Sequence, residues 1–301
     1  MRVFVAVVEA GGFTAASRAL GMPLPTVCRK IAELENHLGT QLLIRSTRKV
    51  SVTDGGHRYY EDAKRILEDI DTVERQAAGE YQRPKGLLTI TTPPMLGRVQ
   101  VLPIVNDFMR QHDEVEVRLV FTTRVLDLPN EQVDLGIRIG TPSGSALTVL
   151  RAGSTRQIIC ASPAYLDAHG RPSSPGDVTR HRCITFSPSG AQLPWVFRMP
   201  PGKVQYVAVR PKLSFLMSGE ASVDATLQGV GLTQMYSYAA APHVAAGDLE
   251  IVLKDFEIEP SPVNLVYPHG QRVPQKVKAF IDLAVPALRA SLAAAARTCD
   301  A

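Results

Sequence analysis

The sequence predicts a chain of mixed class, α+β at its N-terminus and α/β beyond: three short helices with a hairpin, one long helix, then a two-lobed α/β domain. Three observations predict it. Apolar residues recur at helical spacing through residues 1–38 and again through 55–82; from Gly86 the period changes to short apolar strands alternating with helical stretches; and 301 residues are about two domains' worth of chain. The expected boundaries are 1–54, 55–82 and 87–301, with one lobe from about 87–156 and 264–292 and the other from about 157–263.

In the first helix Phe4, Val7 and Val8 share a face, and Gly11-Gly12 interrupts. A short Ala-rich helix over 13–20 follows, with Ala15, Ala16 and Leu20 facing inward, and Gly21 breaks it. Pro23 and Pro25 suit the first turn of a third helix, where a missing N–H costs nothing. Val27, Ile31, Leu34 and Leu38 form its buried stripe, and Gly39 is its stop. Thr26, Arg29, Lys30 and Glu33 fall off that stripe and leave a polar, basic front. Residues 42–52, with Arg45, Thr47, Arg48 and Lys49 in their midst, read as a hairpin with a basic tip.

These parts meet the physical requirements of a winged helix-turn-helix: an α-helix fits the major groove and reads bases from its first turns, while nearby Arg and Lys neutralise phosphates. Thr53 then caps a long helix in which Ala63, Ile70 and Ala77 repeat every seven residues, with Ile66 and Val73 three residues after the first two. The seam predicts a helix–helix dimer contact.

Beyond Gly86, residues 87–91, 115–121 and 133–139 read as strands, separated by helices over 102–111 and 127–132; the alternation implies βαβ units and a mainly parallel sheet. A second group of strands is expected at 157–161, 183–186, 195–197 and 204–215, with a helix over 221–228. A strand over 264–267 and a helix over 274–292 then return to the pattern of the first group. A chain that builds one lobe, leaves for a second and returns places a cleft between the lobes at strand ends. At its edge, Thr91-Thr92-Pro93-Pro94-Met95 marks a strand-to-helix passage where N–H groups and hydroxyls can hold a ligand's anionic group, although the prolines remove two donors. Arg124 and Arg138 can pair with a carboxylate ligand or with Asp127 and Asp134; the sequence leaves that choice open.

With 45% hydrophobic and 21% charged residues, the composition is that of a folded chain and excludes wholesale disorder. Of 33 Lys and Arg, 7 fall in residues 1–53 against 3 of the 29 Asp and Glu; past residue 53 the signs balance. The whole net charge of +4 therefore sits on the module expected to meet a polyanion. Four cysteines without a C-x-x-C pair fit a reducing cytoplasm. The apolar run after Met1-Arg2 ends at Glu9, too short for a signal peptide, and no stretch of about 18 apolar residues is expected to cross a membrane. No G-x-S-x-G, Walker A, complete dinucleotide loop or H-E-x-x-H pair is found, so no catalytic residue, metal or cofactor is expected. A cysteine hydrolase built on Cys160 or Cys183 is the enzymatic rival.

The run Phe13-Thr14-Ala15-Ala16, Leu20-Gly21, Val27, Ile31, Leu34-Glu35, Leu38-Gly39, Leu42-Leu43, Arg45, Thr47-Arg48, Val52-Thr53 and Gly55 resembles the N-terminal signature of LysR-type transcriptional regulators. The resemblance extends more loosely over the whole chain. It implies a two-lobed effector domain like that of periplasmic solute-binding proteins, double-stranded DNA and a small-molecule effector as partners, and a homodimer, with pairing of dimers into a tetramer left open. Family members usually begin several residues before the point matching Met1. Gly12 and Cys28 stand where serine is usual, and a thiol is a weaker donor than a hydroxyl.

The DNA-contacting set is then Thr14, Pro25, Thr26, Cys28, Arg29, Lys30, Arg45, Thr47, Arg48 and Thr53. By the same resemblance the effector is held by Thr92 and Pro93, by Thr122 and Thr123, by Ile139 and Gly140, and from the second lobe by Ser218, Gly231 and Thr233. The remaining rival is a small-molecule binding protein that never touches DNA; it predicts neither the basic N-terminal module nor the missing signal peptide.

Overall fold

The structure, a computed structural model, describes residues 1–45, 50–77, 83–141, 147–187, 190–191, 193–216, 218–269 and 273–300, with backbone alone at 45, 68, 69 and 71–77. The chain divides into two units, Met1–Gln82 and Arg83–Ala301.

In the first unit α1 (Arg2–Glu9), α2 (Phe13–Leu20) and α3 (Leu24–Leu38) precede a hairpin of β1 (Leu43–Arg45) and β2 (Val50–Val52), and α4 (Asp54–Ala77) follows. Gly21 and Gly39 end α2 and α3 in the left-handed conformation, at φ of 61° and 64°, which glycine adopts without penalty. Phe4, Val7, Ala16, Val27, Ile31, Leu42 and Leu43 share one core, with Tyr59 of α4 set edge-on to Phe4 at 5.4 Å. Two details depart from the helical pattern: Ala15 is exposed, and Leu38 is 39% exposed because α3 outruns the core that its first three turns cover.

In the second unit β3 (Gly86–Thr92) runs into α5 (Pro94–Leu96), a π-helical turn at Gly97–Val101 and α6 (Leu102–Gln111). β4 (Val115–Phe121), β5 (Leu135–Ile139) and β6 (Leu147–Thr155) complete the outward half of the first lobe. The chain then crosses to the second lobe: β7 (Gln157–Ala161), α7 (Pro163–His169), β8 (Cys183–Phe186), the hairpin β9 (Trp195–Met199) and β10 (Lys203–Val207), β11 (Pro211–Phe215), α8 (Gly219–Leu227), β12 (Leu232–Tyr236), α9 (Ser237–Ala245) and β13 (Glu250–Val252). It returns through β14 (Ser261–Pro268) and ends in α10 (Gln275–Thr298).

Each lobe carries a five-stranded sheet, ordered β4-β3-β5-β14-β6 in the first and β11-β8-β12-β7-β13 in the second. The expected parallel pairing holds for β3, β4 and β5, while each sheet as a whole is mixed. In both lobes three strands are parallel neighbours and the other two join antiparallel, because the chain that leaves a lobe must run back beside itself to return. At the crossing Thr155 of β6 pairs with Ser261 of β14. There Arg156 grips both oxygens of Glu257 at 2.7 Å and reaches Asp300 at 2.5 Å.

The helix expected over 127–132 is a turn. Asp127 accepts from the Asn130 side chain at 2.8 Å and its carbonyl accepts from the Glu131 N–H at 2.9 Å, and the positive φ of 54° at Gln132 stops the turn from continuing as a helix. The strand expected over 204–215 splits, since Pro211 opens β11 beside β8 while β10 pairs with β9. α10, by length and composition, could cross a membrane, contrary to the sequence expectation; yet Val277, Phe280, Ala284, Leu288 and Leu292 on it are buried in the core, with Phe280 edge-on to Phe108 at 5.2 Å.

Candidate functional site

On α3, Pro25, Arg29 and Lys30 are exposed, Thr26 and Cys28 are half-buried, and Val27 and Ile31 are buried behind them. Thr14 on α2 is exposed as well. Arg29 makes an i,i+4 ion pair with Glu33 at 3.7 Å, with side chains 71% and 63% exposed, a contact weak enough to give way to a nucleic-acid acceptor. Glu35 accepts from the Leu42 and Leu43 N–H groups at 2.9 and 3.0 Å and so fixes where the hairpin leaves the helices. Thr53 is committed to the fold. Its hydroxyl donates to the Gln41 carbonyl at 2.9 Å and accepts from the Gly56 N–H at 2.9 Å, which caps α4. Thr47, Arg48 and the Arg45 side chain lie outside the described residues.

In the second unit a cavity of about 650 Å³ takes its wall from both lobes, a size that suits a small molecule. Pro93 follows β3, Pro94 and Met95 open α5, Ile139 and Gly140 come from the end of β5, Phe186 from β8, Trp195 from β9, and Tyr236 and Tyr238 from β12 and α9. The rings of Tyr236 and Tyr238 stack at 5.8 Å, and burial raises the pKa of both, keeping them as protonated donors. Gln157, Thr185, Ser222 and Gln234 add uncharged polar groups.

Arg138 is the one charged side chain among the described lining residues. It is half-buried, and burial lowers its pKa. Its Nη1 donates to the Thr122 carbonyl at 2.6 Å and its Nη2 to the Thr91 hydroxyl at 2.9 Å.

The model of the LysR substrate binding domain matches residues 81–289, and that of the bacterial regulatory helix-turn-helix protein, lysR family, matches residues 1–57. The chain belongs to the LysR-type transcriptional regulators. An HTH-type transcriptional regulator of Xanthomonas campestris pv. campestris is 33% identical over 95% of this chain and 84% of its own. The structure is similar to that of CrgA, a LysR-type transcriptional regulator from Neisseria meningitidis, with TM-score 0.63 and 28% identity over 95% of this chain and 97% of the other. It is also similar to the Vibrio cholerae virulence activator AphB, with TM-score 0.62 and 27% identity over 94% and 97%. As a LysR-type regulator the protein pairs a DNA-binding helix-turn-helix with an effector-binding domain.

Within the regulator's cavity stand four of the residues expected from sequence: Pro93, Thr123, Ile139 and Gly140. The other five are placed elsewhere. Thr92 is fully buried with its hydroxyl unpartnered, and Thr122 spends its hydroxyl on the Arg124 N–H and its carbonyl on Arg138. Ser218 caps α8 by accepting from the Ala221 N–H at 3.1 Å. Thr233 donates to the Ile184 carbonyl at 3.1 Å, and at Gly231 a β-carbon would collide with the Arg182 carbonyl, so both serve the joining of β12 to β8.

Sequence reasoning missed the aromatic wall of Phe186, Trp195, Tyr236 and Tyr238. The chain's single tryptophan, on a strand already expected at 195–197, was the signal that could have found it.

Proposed function

We propose that this regulator reads duplex DNA as a homodimer, through the front of α3 and the flanking hairpin, and that a small molecule in the two-lobed cavity biases the arrangement of its DNA-binding modules. The observation that carries the reading is the division of α3 into a buried Val27/Ile31 stripe and an exposed Pro25/Arg29/Lys30 front. Thr14, Thr26 and Cys28 border that front, and Arg45, Thr47 and Arg48 are assigned to phosphate contact from the sequence alone. Such a protein works where DNA is, in the cytoplasm, and needs no membrane or cofactor. No catalytic step enters this reading. Cys160 and Cys183, the nucleophiles of the enzymatic rival, are buried, and burial raises both thiols, Cys183 to about 11, the wrong direction for a thiolate.

The test is a titration of the parent protein and Arg29→Ala against a DNA fragment selected by the parent and against scrambled DNA, each at several salt concentrations. A guanine-reading Arg29 loses about 1–3 kcal/mol per half-site on the selected fragment and little on scrambled DNA. Equal losses on both would move Arg29 to the phosphate class. Failure of the parent to select any DNA would overturn the reading.

A further inference from the structure

We propose that the molecule taken by the cavity is a monoanion, a single carboxylate on an apolar, ring-bearing body, and that Arg138 supplies its counter-charge. The inference rests on the reading of this cavity as the effector site.

A half-buried guanidinium is costly to hold without an anion. The two acids that could have compensated Arg138 are engaged elsewhere: Asp134 accepts from the Thr89 N–H at 2.8 Å and faces Lys276 at 3.4 Å, while Asp127 holds Asn130. Among the described residues Arg138 meets only neutral oxygens, the Thr122 carbonyl and the Thr91 hydroxyl. A guanidinium carries five N–H donors in a fork that fits a carboxylate, and these two bonds leave three of them. The charge is thus fixed in place at the cavity wall, and among the described residues no carboxylate pairs with it.

The rest of the wall sets the body of the ligand. Met95, Ile139, Phe186 and Trp195 offer apolar and aromatic surface, and the other polar lining groups are uncharged. A second carboxylate would be desolvated without a cation to meet it, and an amine would face Arg138 itself. The site therefore discriminates against dicarboxylates and amines as well as favouring one carboxylate.

A purely structural Arg138, tying the Thr122 loop to β3, predicts something different. It would affect every ligand alike.

Calorimetric titration of the full chain separates the two, using benzoate, cinnamate and naphthoate, each with its primary amide, its amine and its dicarboxylate. At least one monocarboxylate is expected to bind about tenfold or more tighter than its amide, amine and dicarboxylate. Arg138→Gln keeps a donor for the Thr122 carbonyl. It is expected to weaken that carboxylate by about 10- to 100-fold and to change amide affinity by less than about threefold. Arg138→Lys, which keeps the charge without the fork, should fall between, and the melting curves of both unliganded variants check that they fold. Equal binding of amide and carboxylate, parallel losses for both in Arg138→Gln, or no carboxylate binding at all overturns the proposal. Thr123→Trp, which fills the cavity from an exposed position, distinguishes the two failures. If it abolishes binding of a ligand that shows no preference for the anion, the cavity is the effector site and only the ligand class is wrong. If it leaves binding untouched, the cavity assignment falls too.

Discussion

Cys160, Cys183 and Cys299 are buried, each in an apolar core, and burial pushes all three thiols up. Cys28 alone is partly open, at the border of the exposed front of α3. Treating the native protein with a maleimide at neutral pH should therefore add one label, on Cys28, and treating the unfolded chain should add four; mass spectrometry of the native sample showing two or more would mean that a core thiol is reachable. Labelling at Cys28 should also impair DNA binding if α3 reads DNA as proposed, since the label would crowd that face. That thiol was visible in the sequence, because a helix stripe of Val27 and Ile31 fixes which neighbours face outward. Arg138 was not. That Asp134 does not pair with it depends on Lys276, which lies far along the chain and reaches both Asp134 and the Leu87 carbonyl. A pairing decided by a third residue brought in from another element leaves no local trace.

Helix α4 shows the same limit from the other side. Its heptad was legible, and in the structure Ala63 is buried while Ile66 and Ile70 stand 38% and 41% exposed. Large apolar side chains left open on a helix that is otherwise charged call for a partner helix. Replacing Ile66 and Ile70 together by Asp would place like charges at that seam and should weaken dimerisation by more than about a hundredfold, several kcal/mol. Sedimentation velocity across a concentration series reads this directly; a dimer as tight as the parent's would remove α4 from the interface. Elements with punctuation were equally legible, as Gly21 and Gly39 show. Those without it were lost. α9 is buried through Tyr238–Ala241 and carries Pro242 inside, so it shows neither an amphipathic period nor a clean end, and β6 has little apolar alternation to mark it. The aromatic cavity wall fell into the same gap, since Tyr238 sits on α9.

At the scale of the whole second unit, the departure and return of the chain was readable because apolar strands stop and resume around 157 and 264, but the antiparallel half of each sheet was not. Parallel and antiparallel neighbours have the same period of two, so only the connections distinguish them. Those connections carry one more consequence. Thr155 faces Ser261 across adjacent antiparallel strands, so everything from Arg156 to Pro260 is, topologically, the loop of a single β-hairpin. Closing a loop of roughly a hundred residues costs about 2 kcal/mol more than closing one of about ten. A folded second lobe removes most of that cost, because Arg156 and Glu257 then already clasp the two loop ends together. The second lobe should accordingly assemble ahead of the β6–β14 edge. Pulsed hydrogen exchange during refolding should protect the amides of Ile159 and Met235 before those of Val149 and Val263, and the reverse order would mean that the edge forms without its clasp. A small molecule held between the lobes, as proposed above, would thus act across a joint whose two strands the folding chain is expected to align only after making the lobe between them.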